Sequence, residues 1–256
     1  MPKLDSEESS SAIDLAKANQ ELIFQNQEKE KRAAELVIAN KELAFQNQEK
    51  EKRAAELVII NEELHGALMN TVQVAMILGE MRDPYTAGHE RRVAEIAVAI
   101  SAELGFDNNQ QEGIRVASYL HDVGKIKIPA EILSKPGKLT TNEYNLIKEH
   151  AQAGYDVLSR VHFPWPIAGV ALQHHERMNG SGYPQQLQGG RIIIEARIIA
   201  VADTVEAMSS HRPYRAGLGI EKALAEIEHG RGTLYDINVV DICLKLFREK
   251  GFKIPD

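Results

Sequence analysis

At 256 residues, with 43% hydrophobic and 26% charged side chains, the chain is long enough for one sizeable core plus an extension. A net charge of -7 excludes attraction of nucleic acid by a bulk field, so no DNA partner is expected. The single cysteine, Cys243, sits in an apolar stretch and cannot form an internal disulfide. The opening Met1-Pro2-Lys3-Leu4-Asp5 lacks the apolar stretch of a signal peptide, and no run approaches the roughly 18 apolar residues of a membrane span. The expectation is a cytoplasmic protein with no membrane span and an inert core thiol.

Residues 1–13 are expected to be disordered, and residues 14–66 to form a heptad-repeat helix. Residues 18–38 (ANQELIFQNQEKEKRAAELVI) recur as residues 39–59 with changes only at Gln20 versus Lys41 and Ile23 versus Ala44. A period of 21 is three heptads. Leu15, Leu22, Leu36, Leu43, Leu57 and Leu64 share one heptad position, interrupted by Lys29 and Lys50. The neighbouring seam position reads Asn19, Asn26, Ala33, Asn40, Asn47, Ala54 and Asn61. This is a coiled-coil pattern with a polar second row, and it suggests a homodimerising or signal-relaying helix about 75 Å long, with signalling proteins as further partners. A solvated single helix rich in Glu and Lys is the competing reading.

Residues 67–256 have the pattern of a globular helical domain. Thr71–Met81, Arg91–Leu104, Gln110–His121, Thr141–Leu158, Trp165–His174, Ile193–Ser209 and Ile220–His229 carry apolar residues at helical spacing. Pro84, Gly105, Pro129, Pro136-Gly137, Pro164, Gly180–Pro184, Gly189-Gly190 and Pro213 separate them. Strand-like alternation is nearly absent apart from a short hairpin candidate within Ser181–Ile194. The fold class is all-α: a long N-terminal helix or coiled coil followed by a helical bundle.

The chemistry-bearing side chains lie at the ends and centres of these helices. His121 and Asp122 end an apolar helix, Gly124 lets the chain turn closely beneath them, and Lys125 follows within reach. His150 lies on a helix for which Thr141 offers a capping hydroxyl. His174-His175 close another, and Asp203 sits among Val201, Ala202 and Val205, where burial of a carboxylate demands a partner or a metal. Six imidazole and carboxylate groups exceed what one ion needs and suit two divalent transition metals.

Five segments, RDPYTAGHERRV (82–93), HDVGKIKIPAEILSKPGKLT (121–140), IKEHAQAGYDVL (147–158), HHERMNGSGYP (174–184) and VADTVEAMSSHRPYR (201–215), resemble the HD-GYP family, a branch of the HD metal-dependent phosphohydrolases. The resemblance covers about seven-tenths of the chain, and the namesake tripeptide is Gly182-Tyr183-Pro184. It implies an HD-type helical bundle and hydrolysis of cyclic di-GMP to pGpG, in some members onward to GMP. By similarity His121, Asp122, His150, His174, His175 and Asp203 are metal ligands, with Asp122 bridging two ions. Fe or Mn is favoured, and Zn or Ni fits the same set. Such a pair, about 3.5–4 Å apart, activates water and stabilises the departing oxygen. Lys125 is implied to meet a phosphate oxygen, as an electrostatic clamp or as a proton donor to the leaving group. Arg212 and Arg215 are candidates for the substrate phosphates and guanine. Tyr183 either flanks a guanine or rigidifies the turn that presents His174 and His175, and His89 is a candidate for phosphate or a further metal. Where some members carry a third-metal glutamate four residues before that histidine, this chain has Tyr85, which points to two ions. Hydrolysis of another nucleotide, or a silent nucleotide- or protein-binding module, are the competing functions.

Overall fold

The computed structural model describes residues 4–82, 88–135, 137–210 and 217–255, with side chains from residue 13 onward except that of residue 82. Arg212, Arg215 and Tyr85 lie outside the described residues. The chain divides into two compact units, Met1–Gly66 and Ala67–Asp256. No helix is long and apolar enough to cross a membrane among the described residues.

The first unit belongs to α1 (Leu4–Arg82), which begins ahead of the expected residue 14. Its heptad leucines are bare, from 55% exposed at Leu43 to 66% at Leu57. Pairs such as Arg32–Glu28, 3.2 Å apart on the exposed surface, add little stability to a helix of this kind.

In the second unit the same helix turns amphipathic. Val72 is buried, and Met69, Ala75 and Met76, spaced three or four residues along the same face, pack against the core. The segment expected as a separate helix over Thr71–Met81 is therefore the end of α1. Then follow α2 (His89–Glu103), α3 (Asn108–Leu120), a 3₁₀ turn (Val123–Lys127), α4 (Ala130–Leu133), α5 (Thr141–Leu158) and α6 (Ile167–Gln173). After a second 3₁₀ turn (Gly189–Arg191) come α7 (Ile194–Ser209), α8 (Ile220–His229) and α9 (Ile237–Arg248). The all-α architecture holds: among the described residues the expected hairpin reduces to an isolated antiparallel bridge between Asn179 and Gln188.

α7 is the central helix. Ala196, Ile198, Ile199, Ala200, Val201, Ala202 and Val205 are all buried, which leaves almost no solvated face, and α2, α3, α6, α8 and α9 all pack against it. Helix starts follow local chemistry. Asp107 and Gln110 form a capping box at α3, as do Thr140 and Glu143 at α5. The cap of α5 is thus Thr140 rather than Thr141, because Glu143 must stand three residues beyond the cap to reach back to its N–H. α9, absent from the sequence expectation, carries the ordinary signals: Asp236 accepts from the N–H groups of Asn238 and Val239, and Val239, Val240, Cys243 and Leu246 are buried at helical spacing. Cys243 is fully buried and burial pushes its thiol up to about 12, in keeping with an inert core role.

Candidate metal centre

Three histidines sit in helical backbone and use it in the same way. His121, the C-cap of α3, donates from Nδ1 to the Ser118 carbonyl at 2.6 Å. His150 in α5 donates to Ile147 at 2.7 Å, and His174, the C-cap of α6, to Ala171 at 3.0 Å. A carbonyl only accepts, so in each ring Nδ1 carries the hydrogen, and in the neutral form Nε2 keeps a lone pair. Asp122 follows His121 at the head of the 3₁₀ turn, and that turn lies hard against α5. A Cβ added at Gly124 would fall 2.0 Å from the His150 carbonyl oxygen and 2.5 Å from the Gly154 nitrogen. Glycine is what lets Asp122 and His150 meet.

The lone pairs converge on Asp122. Its Oδ1 is 3.2 Å from His150 Nε2 and 3.7 Å from His174 Nε2, while its Oδ2 is 3.5 Å from His121 Nε2. Among the described residues, two groupings have ligand atoms mutually within 4.8 Å: Asp122, His150, His174 and His175, and His89, His121 and Asp203. One carboxylate oxygen of Asp122 faces the first grouping and the other faces a member of the second.

These contacts are not hydrogen bonds. His150 Nε2 and His174 Nε2 approach to 3.3 Å with no hydrogen left to share, and His121 Nε2 and Asp122 Oδ1 are buried without a partner. Each desolvated acceptor left in this state costs about 1–3 kcal/mol, and a cation among them is the group that satisfies them together. The protonation states agree. Burial holds His121 down at about 4, and burial with repulsion from His174 and His150 holds His175 well below its ordinary value. Burial alone would raise the Asp122 carboxyl, but Lys125 and then His121 hold it well below the usual range. Neutral imidazoles and ionised carboxylates are the forms that bind metal. The two clusters have the donor set of a divalent metal site.

The remaining predicted residues are placed around this centre. Lys125 Nζ lies 2.5 Å from Asp122 Oδ2. Asp203, on α7, lies 3.2 Å from His89 Nε2. His89 begins α2 and meets Glu206 through its other nitrogen. Against the effect of burial, Asp203 and Glu206 push His89 up to about 10. The Tyr183 ring stacks on His175 at 4.7 Å and 29°, so in this arrangement it braces that imidazole.

Among the buried carboxylates to which the sequence reading gave no role, two support the site directly. Glu206 accepts from Arg92 Nε and Ser210 Oγ, both at 2.6 Å, and orients His89, as carboxylates commonly orient metal-binding imidazoles. Its signal was an acid three residues beyond Asp203 on a helix of Ala, Ile and Val. Glu176 accepts from the N–H groups of Gln185 and Leu187 at 2.6 and 3.0 Å and so fixes the loop that carries Tyr183. Gly182 packs against that corner, where an added Cβ would lie 2.5 Å from the Arg177 nitrogen.

Residues 73–239 match the family model of the HD domain. A cyclic di-GMP phosphodiesterase of Thermotoga maritima is 42% identical over 184 residues, 71% of this chain and 50% of that protein. The cyclic di-GMP phosphodiesterase response regulator RpfG of Xanthomonas campestris pv. campestris is 43% identical over 168 residues, 65% of this chain and 44% of that protein. The chain thus spans about half the length of the curated relatives it matches. Among solved structures, Bd1817, an HDG"Y"P protein from Bdellovibrio bacteriovorus, superposes with a TM-score of 0.53 at 18% identity, covering 62% of this chain and 51% of that one. That likeness is one of fold. With the helical bundle, the His121-Asp122 pair at its centre and the Gly182-Tyr183-Pro184 corner beside it, the chain belongs to the HD-domain family in its HD-GYP form.

Proposed function

We propose that this chain is a metal-dependent phosphodiesterase that hydrolyses cyclic di-GMP to pGpG in bacterial second-messenger signalling. The observation that supports this most strongly is the convergence of three imidazole lone pairs on the two oxygens of Asp122 with no hydrogen between them. In this reading the donor set would hold two divalent ions, Fe or Mn, or Zn or Ni: His150, His174 and His175 would hold one, and His121, Asp203 and His89 the other, with one oxygen of Asp122 toward each grouping. Divalent ions so held supply Lewis acidity toward a phosphodiester oxygen and lower the pKa of adjacent water.

The protein's own groups do the rest. His121 and His175 stay neutral and so remain ligands near neutral pH, while His89, raised to about 10, would give up its proton to an ion. Lys125, on the rim of the Asp122 carboxylate, offers ammonium donors to a phosphate oxygen and offsets the charge that grows on the departing oxygen. Tyr183 holds His175 in register. Arg212 and Arg215, outside the described residues, are the proposed forks for the second phosphate and the guanine edge. Two copies pair through the exposed leucines of α1.

The test is product chromatography on anaerobically purified protein given cyclic di-GMP with Mn or Fe(II), beside Asp122→Ala. A panel of hybrid cyclic GMP-AMP and nucleoside monophosphates runs in parallel. The parent is expected to release pGpG and the variant none. Absence of turnover by protein with metals demonstrably bound would overturn the activity, and preference for a panel member would reassign the substrate.

A further inference from the structure

Three buried side-chain atoms among the described residues have no hydrogen-bond partner: His121 Nε2, Asp122 Oδ1 and Glu90 Oε2. The first two face the metal site and are accounted for by it. Glu90 is not. It lies in the first turn of α2, it is 5% exposed, and neither grouping of ligand atoms includes it. It borders a cavity of about 10 Å³, the size of one water, shared with Tyr119, Asp122 and Lys125 and walled by Met76 and Gly79.

We infer that Glu90 is a positioning residue for Lys125, holding its ammonium at the site once metal ions engage both oxygens of Asp122. The inference rests on the metal phosphodiesterase reading. Asp122 Oδ2, which Lys125 Nζ meets at 2.5 Å, is also the oxygen 3.5 Å from His121 Nε2. An ion shared by that imidazole and that oxygen draws the same electron density that binds the ammonium, and its positive charge repels Lys125. A second anion beside Lys125 then helps the site keep its cation. Glu90 is the other buried carboxylate on that cavity beside Asp122, and its Oε2 would otherwise remain desolvated and unpaired at a cost of about 1–3 kcal/mol. An ammonium has three donors, so one can engage Glu90 while another faces a phosphate oxygen.

Two measurements test this. The first is a crystal structure of the Mn-loaded protein, which needs no turnover. Lys125 Nζ is expected within about 3.2 Å of a Glu90 oxygen. A Glu90 side chain that binds an ion, or stays apart from Lys125, would overturn the inference. The second is a double-mutant cycle of Glu90→Gln with Lys125→Met on cyclic di-GMP, with metal content and melting temperature followed in every variant. Glu90→Gln should lower kcat about tenfold or more at unchanged KM and metal content in the parent, and change nothing further in Lys125→Met. Glu90→Asp, which keeps the charge, should restore part of the rate. Equal losses in both backgrounds would overturn the inference. A parent that binds metal but cleaves no cyclic dinucleotide would sink the proposed activity instead, leaving the structural measurement to decide on Glu90.

Discussion

His121 predicts how the ion-free protein responds to acid. Its side chain is fully buried, and burial holds its pKa down at about 4, against about 6.5 for an unfolded histidine. The folded state keeps this ring neutral while the unfolded chain takes up the proton, so stability is lost as pH falls below about 6.5 and the loss levels off near 4. Integrated from pH 7.5 to 5, the contribution is about 2 kcal/mol of destabilisation, or about 4–8 °C in melting temperature for a domain of this size. His175, also depressed by burial, acts in the same direction. His89 acts in the opposite one. Raised to about 10, it contributes fully below about 6.5 and loses its contribution as pH rises toward 10. Over the same interval it returns about 1.4 kcal/mol on acidification, so the parent's net slope understates the effect of His121. The measurement is therefore a difference: urea unfolding of chelator-treated parent and His121→Gln at several pH values from 7.5 to 5. The variant should lose about 2 kcal/mol less than the parent across that range. Parallel profiles would refute the claim that His121 is buried neutral, and with it the lone-pair geometry on which the metal site is argued.

Other consequences are equally direct. Gly124→Ala places a methyl 2.0 Å from the His150 carbonyl and should cost about 3 kcal/mol or more, with loss of bound metal on elemental analysis; a stable variant with full occupancy would contradict the packing of the turn on α5. Glu206→Gln removes the carboxylate that orients His89 and should weaken metal binding by about 10–100-fold in a chelator competition, while unchanged affinity would assign Glu206 to packing alone. Leu36→Asp combined with Leu43→Asp introduces charge at two exposed heptad positions and should convert a dimer to a monomer in sedimentation; a parent that is already monomeric removes the pairing proposed for α1.

Most of the fold was legible because helices here follow hydrophobic spacing between strong breakers, and α7 shows why: its apolar run Ala196–Val205 has room for buried contacts on every side. The miss at α9 was not physical, since Asp236 and the Val239, Val240, Cys243, Leu246 stripe carry the same signals as the helices that were found. The cap of α5 was ambiguous between two adjacent threonines, and only the three-residue spacing to Glu143 selects Thr140. At the site, residue types and order were readable, but the direction of each lone pair was not. That direction depends on the carbonyl three residues before His121, His150 and His174, which fixes Nδ1 only once the helix or its last turn exists. The buried charged pair at the start of α2 marks a harder limit. His89 and Glu90 are adjacent and so point about 100° apart around a helix, and the family resemblance marked His89 but gave no role to Glu90. Both are buried because α7 encloses the N-terminal turn of α2 on one side while the cavity beside Lys125 and Asp122 receives it on another. Burial on two sides is a property of how three segments distant in the chain meet, and a charged side chain gives no sequence signal of such burial, because the groups that stabilise it lie on those other segments.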